Sequence, residues 1–222
     1  MRTIVVALGI AAGALCSSGV ATVHAQNAAE IVGRSARVYR SLGSLRADFE
    51  QKIEDPMLDT TLTSRGTLAQ SGQSKLAMRF SSPPEDRIII DGEHVWVYTP
   101  STTPGQVLRL ALPSGGPVYG FNVLSWILDR PAERYRMRYI RADQVSGRAV
   151  DVVELVPNVP ELPFARAVVW LDRDDALPRR LEISERLGGI RTITLSRLRV
   201  NDNVPESTFR FDVPQGVRVV DQ

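Results

Sequence analysis

The segment DRIIIDGEHVWVYTP, residues 86–100, reads as a hairpin that no half-wet sheet can accommodate. Asp91-Gly92 joins Ile88-Ile89-Ile90 to Val95-Trp96-Val97-Tyr98, and Asp-Gly is a strong signal for a tight connection. Successive side chains of a strand point to opposite faces. A sheet with one solvated face therefore alternates apolar and polar residues. Here both faces of both strands are apolar, so the fold must cover this sheet twice.

The rest of the chain supplies more strands. Leu45, Ala47, Phe49, Gln51 and Ile53 alternate with Arg46, Asp48, Glu50 and Lys52, a period of two. Further strand patterns fall at 60–70, 74–82, 86–91, 94–99 and 106–112. After a break come 133–142, 148–156, 164–172, 179–187, 190–199 and 208–212. Gly188-Gly189 marks another tight hairpin. Closely spaced strands without intervening helices predict an antiparallel sheet. About eleven or twelve strands in one sheet must curl or close.

Two segments keep helical spacing. One is residues 28–42, with Ala28, Ile31, Val32, Ala36, Tyr39 and Leu42. The other lies in VYGFNVLSWILDRP, residues 118–131, with Phe121, Leu124, Trp126, Ile127 and Leu128, and with Pro131 just past its end. That helix is apolar over more than half its circumference and needs an apolar partner, as the sheet needs a cover. A lid of two short helices over a wide curved sheet leaves space, and an apolar cavity takes apolar guests. The stripe Leu76, Met78, Phe80 is either ordinary core or one wall of that cavity.

The N-terminus reads as an export signal. Met1-Arg2 is a short positive start, residues 4–15 are apolar apart from Gly, and Val23-His24-Ala25 is a small-x-Ala cleavage site. The expected product is a single domain over 26–222 without a lipid anchor, because Leu15 precedes Cys16 and Gly13 stands three before it. A lipid-attachment box wants a small residue at the first position and Leu at the second. Removal of Cys16 leaves neither a disulfide nor a thiol nucleophile.

Catalytic and nucleic-acid classes find little support. The formal charge is +2, which gives no strong basic footprint for nucleic acid. Beyond residue 25 the one histidine is His94, in a strand beside a turn, so histidine-cluster metal sites are excluded. Gly72-Gln73-Ser74-Lys75-Leu76 lacks the closing Gly of a nucleophile elbow. Asp172-Arg173-Asp174-Asp175 lacks the Gly and distal Glu of a calcium loop and reads as a polar turn. Arg134, Arg136 and Arg138 alternate with Tyr135, Met137 and Tyr139. They read as a solvated strand face, with a patch for acidic headgroups or an acidic partner as the sharper alternative. No enzyme activity, cofactor or metal is expected.

Four stretches resemble the periplasmic outer-membrane lipoprotein carrier family, LolA: SLRADFEQ (44–51), SRGTL (64–68), DGEHVWVYTP (91–100) and FRFDVPQGVRVVD (209–221). The resemblance implies an incompletely closed antiparallel β-barrel with an α-helical lid over a hydrophobic cavity. One face of the opening hairpin would line the cavity and the other would pack against structure outside. It implies a carrier that takes acylated lipoproteins from an inner-membrane ABC-type release complex and delivers them to an outer-membrane receptor, as a monomer. A periplasmic carrier of another lipid or glycolipid is the alternative.

Carried over by position, Leu76, Met78 and Phe80 fall on the cavity wall. Trp96 and Tyr98 share a side and are expected to face in. Phe49 is a motif position expected in the core. Tyr39, Phe121, Leu124, Trp126 and Ile127 fall in the lid. The family carries an Arg-Pro tether for the lid where this chain has Gly72 and Gln73. Its absence predicts an easily opened lid, or a tether displaced to Arg65 or Arg79.

Overall fold

A computed structural model describes residues 19–112, 122–158 and 162–222. Helix α1 (Gly19–Ser41) leads into β1 (Ser44–Asp55), β2 (Thr60–Ser71), β3 (Lys75–Ser82), β4 (Pro84–Ile90), β5 (His94–Tyr98) and β6 (Gln106–Ala111). The short helices α2 (Val123–Leu128) and α3 (Pro131–Arg134) interrupt the series. Then follow β7 (Tyr135–Val145), β8 (Arg148–Pro157), β9 (Phe164–Asp172), β10 (Pro178–Glu185), β11 (Ile190–Val200) and β12 (Arg218–Asp221). These strands form one sheet in the order β12-β6-β5-β4-β3-β2-β1-β11-β10-β9-β8-β7. All pairs are antiparallel except β12 on β6. The two ends of that order do not pair, so the barrel stays open.

Period-two patterning sets which residues face in. Leu45, Ala47 and Phe49 of β1 join the main core, with Leu68, Leu76, Met78 and Ile90 from neighbouring strands. Ala28, Val32, Ala36 and Tyr39 bring α1 into the same core, and every residue of α2 is buried there. α1 lies against β7, β8, β9, α2 and α3. The helices thus roof the concave face and bury their apolar stripe, at about 1.5–3 kcal/mol for each large apolar side chain.

The other face of the hairpin has its own cover. Beyond β11 the chain returns across the convex surface through a 3-10 helix, Glu206–Phe209. It buries Phe209 and Phe211 against Ala69, Ala77, Ile89, Tyr98 and Val107. Phe211 stacks on Trp96 at 5.3 Å between ring centroids, and the Arg87 guanidinium sits 5.2 Å from the Tyr98 ring centre. β12 then closes the edge, with Arg109 bidentate to Asp221 at 2.6 and 2.9 Å. Both faces of the hairpin are thus covered: Ile90 and Val95 enter the core on the concave side, Ile89 and Tyr98 lie beneath this tail, and Gly92 and Glu93 of the turn are exposed.

Two expectations need correction. Residues 208–212 were expected to form a strand. Phe209 and Phe211 do alternate with Arg210 and Asp212, but Phe209 ends the 3-10 helix and 210–212 lie flat on the sheet without a ladder. Side-chain period alone does not distinguish these arrangements. The final strand is instead Arg218–Asp221. Arg134 was expected on a strand face, yet it closes α3 and is buried, with Asp129 at 3.5 Å.

The turn at 172–175 is an ion-pair centre. Asp172 is buried, and its carboxylate accepts from Arg148 and from Arg179 Nε at 3.0 Å. It also accepts the backbone N–H of Asp174 and Asp175. Burial alone would raise its pKa. The hydrogen bonds and the guanidinium charges outweigh burial and hold the carboxyl well below the usual range.

Candidate functional site

Between sheet and lid lies an apolar cavity of about 80 Å³. Phe49 of β1, Leu68 of β2, Leu76, Met78 and Phe80 of β3, and Ile88 of β4 form one wall. Leu181, Ile193 and Leu195 continue it, and Asn122, Val123 and Leu124 close it from the lid. Gln51 and Arg191 add polar atoms to the lining. Sites that take drug-sized ligands span about 300–1,000 Å³. As it stands the cavity is smaller than such a site.

The wall is held by a close approach at Gly66 of β2. A Cβ there would collide with the carbonyl oxygen of Arg79 and lie 2.9 Å from Cε1 of Phe49. The missing side chain lets Phe49 lie over the backbone. It meets Phe80 edge-on at 5.1 Å and 81°, a geometry the ring quadrupole favours. The Gly of SRGTL therefore shapes the cavity floor.

The lid is pinned by buried polar groups. Tyr39 Oη of α1 donates to Gln70 Oε1 of β2 at 2.8 Å, and lies 3.3 Å from Ser125 Oγ of α2. Asn122 Nδ2 reaches the same phenol oxygen at 3.5 Å. Asn122 also caps α2, its side chain accepting from the Ser125 N–H. Gln70 Nε2 donates to the Gly72 carbonyl at 2.6 Å. Burial pushes the Tyr39 phenol up from its ordinary pKa, so it stays neutral and keeps its proton to donate. Tyr135 Oη donates to the Trp126 carbonyl at 2.6 Å and anchors the far side of α2. The Trp126 indole N–H has no acceptor among the described residues.

Of the residues expected on the cavity wall, Leu76, Met78 and Phe80 line it. Trp96 and Tyr98 do not. They share a side, as expected, but it is the convex one, packed on Phe211. Ile88 of β4 faces the cavity instead, while Ile90 and Val95 enter the concave core. When both faces of a strand are apolar, parity tells which residues share a side but not which side is inside. Trp96 is further fixed outward by its indole N–H, which donates to Asp91 Oδ2 at 2.7 Å. The lid residues Tyr39, Leu124, Trp126 and Ile127 come together in the concave core. Phe121 lies outside the described residues.

Among the described residues, neither expected substitute for the Arg tether bonds to the lid. Arg65 pairs with Glu50 at 2.8 Å, and Arg79 donates to the Thr208 carbonyl on the convex face. Sequence reasoning missed Gln70, Asn122 and Ser125. The available signal was polar residues, Asn122 and Ser125, inside an otherwise apolar lid segment.

No group of His, Cys, Asp or Glu among the described residues is arranged to hold a metal ion. No described helix is long and apolar enough to cross a membrane.

Comparison with known proteins agrees with this geometry. A family model described as "Outer membrane lipoprotein carrier protein LolA" matches residues 40–212. An outer-membrane lipoprotein carrier protein of Halorhodospira halophila is 27% identical over 183 residues, covering 82% of this chain and 81% of the relative. One of Methylobacillus flagellatus is 23% identical over 182 residues, covering 82% and 84%. Among solved structures, an uncharacterized conserved protein from Thermus thermophilus aligns with a TM-score of 0.56 at 15% identity. That alignment covers 89% of this chain and 100% of the other, and it speaks to the fold alone.

Proposed function

The chain belongs to the LolA family of outer-membrane lipoprotein carrier proteins, and we propose that it binds the acyl chains of lipoproteins in the cavity between sheet and α2. LolA-family carriers are periplasmic. In this reading residues 1–25 are removed on export, and the carrier takes cargo from an inner-membrane ABC-type release complex. It crosses the periplasm as a monomer and hands the cargo to an outer-membrane receptor. It makes and breaks no bond. Leu76, Met78 and Phe80 form the fixed wall, and Leu124, Trp126 and Ile127 belong to the part that moves.

The single observation that carries this reading is the apolar cavity closed on one side by a six-residue helix. Each acyl chain of roughly 15 methylenes costs about 12 kcal/mol to expose to water, so unassisted crossing is negligible. Non-covalent affinity saturates near roughly −18 to −21 kcal/mol, and a carrier must also release. A small cavity that opens only when a short helix swings away meets both demands, since work against the lid lowers the net affinity.

The test is a release assay. Purified protein comprising residues 26–222 is mixed with spheroplasts making a labelled lipoprotein, and the soluble fraction is examined for labelled cargo bound to it. Cargo release that disappears in Leu76→Glu supports the proposal. A bound lipid without released lipoprotein favours a carrier of another lipid or glycolipid. Neither result leaves the cavity as unfilled core and sinks the reading.

A further inference from the structure

On the opposite side of the sheet from the apolar cavity lies a polar groove of about 650 Å³. Its floor is made of small residues, Thr67 and Ala69 of β2 and Ala77 of β3. One bank carries Arg79 with Ser207 and Thr208. The other carries Arg46, Arg197 and Arg199. Four guanidiniums face one carboxylate, Asp48, in a chain whose formal charge is only +2.

The register makes this arrangement unfavourable for the empty protein. Arg46 of β1 lies directly opposite Arg199 of β11, so both side chains leave the same face, and like charges directly opposite destabilise a strand pair. Neither makes a hydrogen bond or ion pair among the described residues. The one lining carboxylate is occupied, since Asp48 pairs with Arg197. A bulge sits at the same place. Between Asp48↔Ser196 and Arg46↔Arg199, two residues of β11 oppose Ala47 alone, and Arg197 has φ +50°. Bulges re-aim side chains, and this one turns a third guanidinium toward the groove. Arg79 gives one N–H to the Thr208 carbonyl at 3.1 Å and keeps others to donate.

Planar guanidinium forks match the geometry of phosphate oxygens. We propose that this convex groove binds a phosphate-bearing anion, with Arg46 and Arg199 as its principal contacts. A soluble phosphate monoester and the phosphodiester headgroup of an anionic lipid share this chemistry. The proposal stands independently of what the apolar cavity carries.

The test uses the purified protein with three probes: inorganic phosphate, glycerol 3-phosphate, and phosphatidylglycerol vesicles with phosphatidylcholine vesicles as reference. Wild type is expected to bind at least one anionic probe, with affinity that falls as salt rises. Arg46→Gln/Arg199→Gln should weaken that binding at least tenfold, and Arg65→Gln, on the same face but outside the groove, should not. Without ligand the double variant should melt at or above the wild-type temperature, because the repulsion is gone. Binding of the soluble phosphates identifies a soluble source. Binding of phosphatidylglycerol vesicles alone identifies a headgroup. Wild-type indifference to every phosphate probe, or equal binding by the double variant, overturns the proposal. So does binding of a glutamate-rich peptide in their place, which would make the groove a protein-docking site.

Discussion

Replacing Tyr39 with Phe probes how the lid is held. The phenol is buried, at 3% exposure, and its oxygen sits among Gln70 at 2.8 Å, Ser125 at 3.3 Å and Asn122 at 3.5 Å. The substitution keeps the ring, so α1 packs as before. It removes the donor to Gln70 Oε1, while Gln70 Nε2 stays engaged with the Gly72 carbonyl. A buried acceptor left unsatisfied costs about 1–3 kcal/mol. If the network breaks when α2 swings away, the opening equilibrium shifts by about 5–150-fold. Native-state hydrogen exchange reads this directly. The amides of Trp126 and Asp129, bonded to Asn122 and Ser125 carbonyls, should exchange faster by that factor. Exchange in central β1 reports the global stability. Faster exchange in β1 with unchanged rates at Trp126 and Asp129 would show that Tyr39 braces the fold without latching the lid, and would refute the reasoning.

Other perturbations have defined outcomes. Asp172→Ala strands Arg148 and Arg179 around a buried site and should cost about 3–5 kcal/mol by denaturant titration. Because the Asp172 carboxyl is held well below its ordinary value in the fold, its stabilisation is complete above about pH 5 and is lost progressively as pH falls further. Asp172→Asn should accordingly flatten the decline in stability between pH 5 and pH 2 (about the carboxylate range); an unchanged slope would count against this ion-pair centre. Gly66→Ala drives a methyl into the Arg79 carbonyl and the Phe49 ring and should destabilise by about 1–3 kcal/mol, with loss of uptake of an apolar fluorescent probe. Phe211→Ala uncovers Trp96 and should cost about 3–5 kcal/mol with a red-shifted tryptophan emission, while leaving probe uptake in the stable fraction intact.

Much of the architecture was legible from side-chain period. β1 through β11 fall within a few residues of the alternating runs, and the apolar run near Leu124 formed the expected short helix. The requirement for two covers, read from residues 86–100, was also met. The identity of the outer cover was harder to read. Phe209 and Phe211 keep a strand's alternation, yet they lie across the sheet, and only the chain path beyond β11 reveals this. The inward or outward sense of Trp96 and Tyr98 was undetermined because their neighbours are apolar on both sides. The hydrogen bond from Trp96 to Asp91 breaks the tie, and it depends on the turn geometry.

The polar features were least visible. Tyr39 and Gln70 are 31 positions apart and Tyr39 and Ser125 are 86 apart, so no local pattern announces their contact. The same holds for Arg46 and Arg199, whose opposition follows from strand order and register. Asp172 looked like one of several acidic turn residues. Its distinction is burial, which arises from the packing of β8, β9 and β10.

The most direct test of acyl binding in the concave cavity is site-specific photo-crosslinking to a lipoprotein with labelled acyl chains. A photoreactive residue is placed at Met78 on the cavity wall in one variant and at Tyr98 on the convex face in another. The cavity account predicts label on the Met78 variant and none on the Tyr98 variant. Label from position 98, or released cargo with no label from position 78, would contradict it.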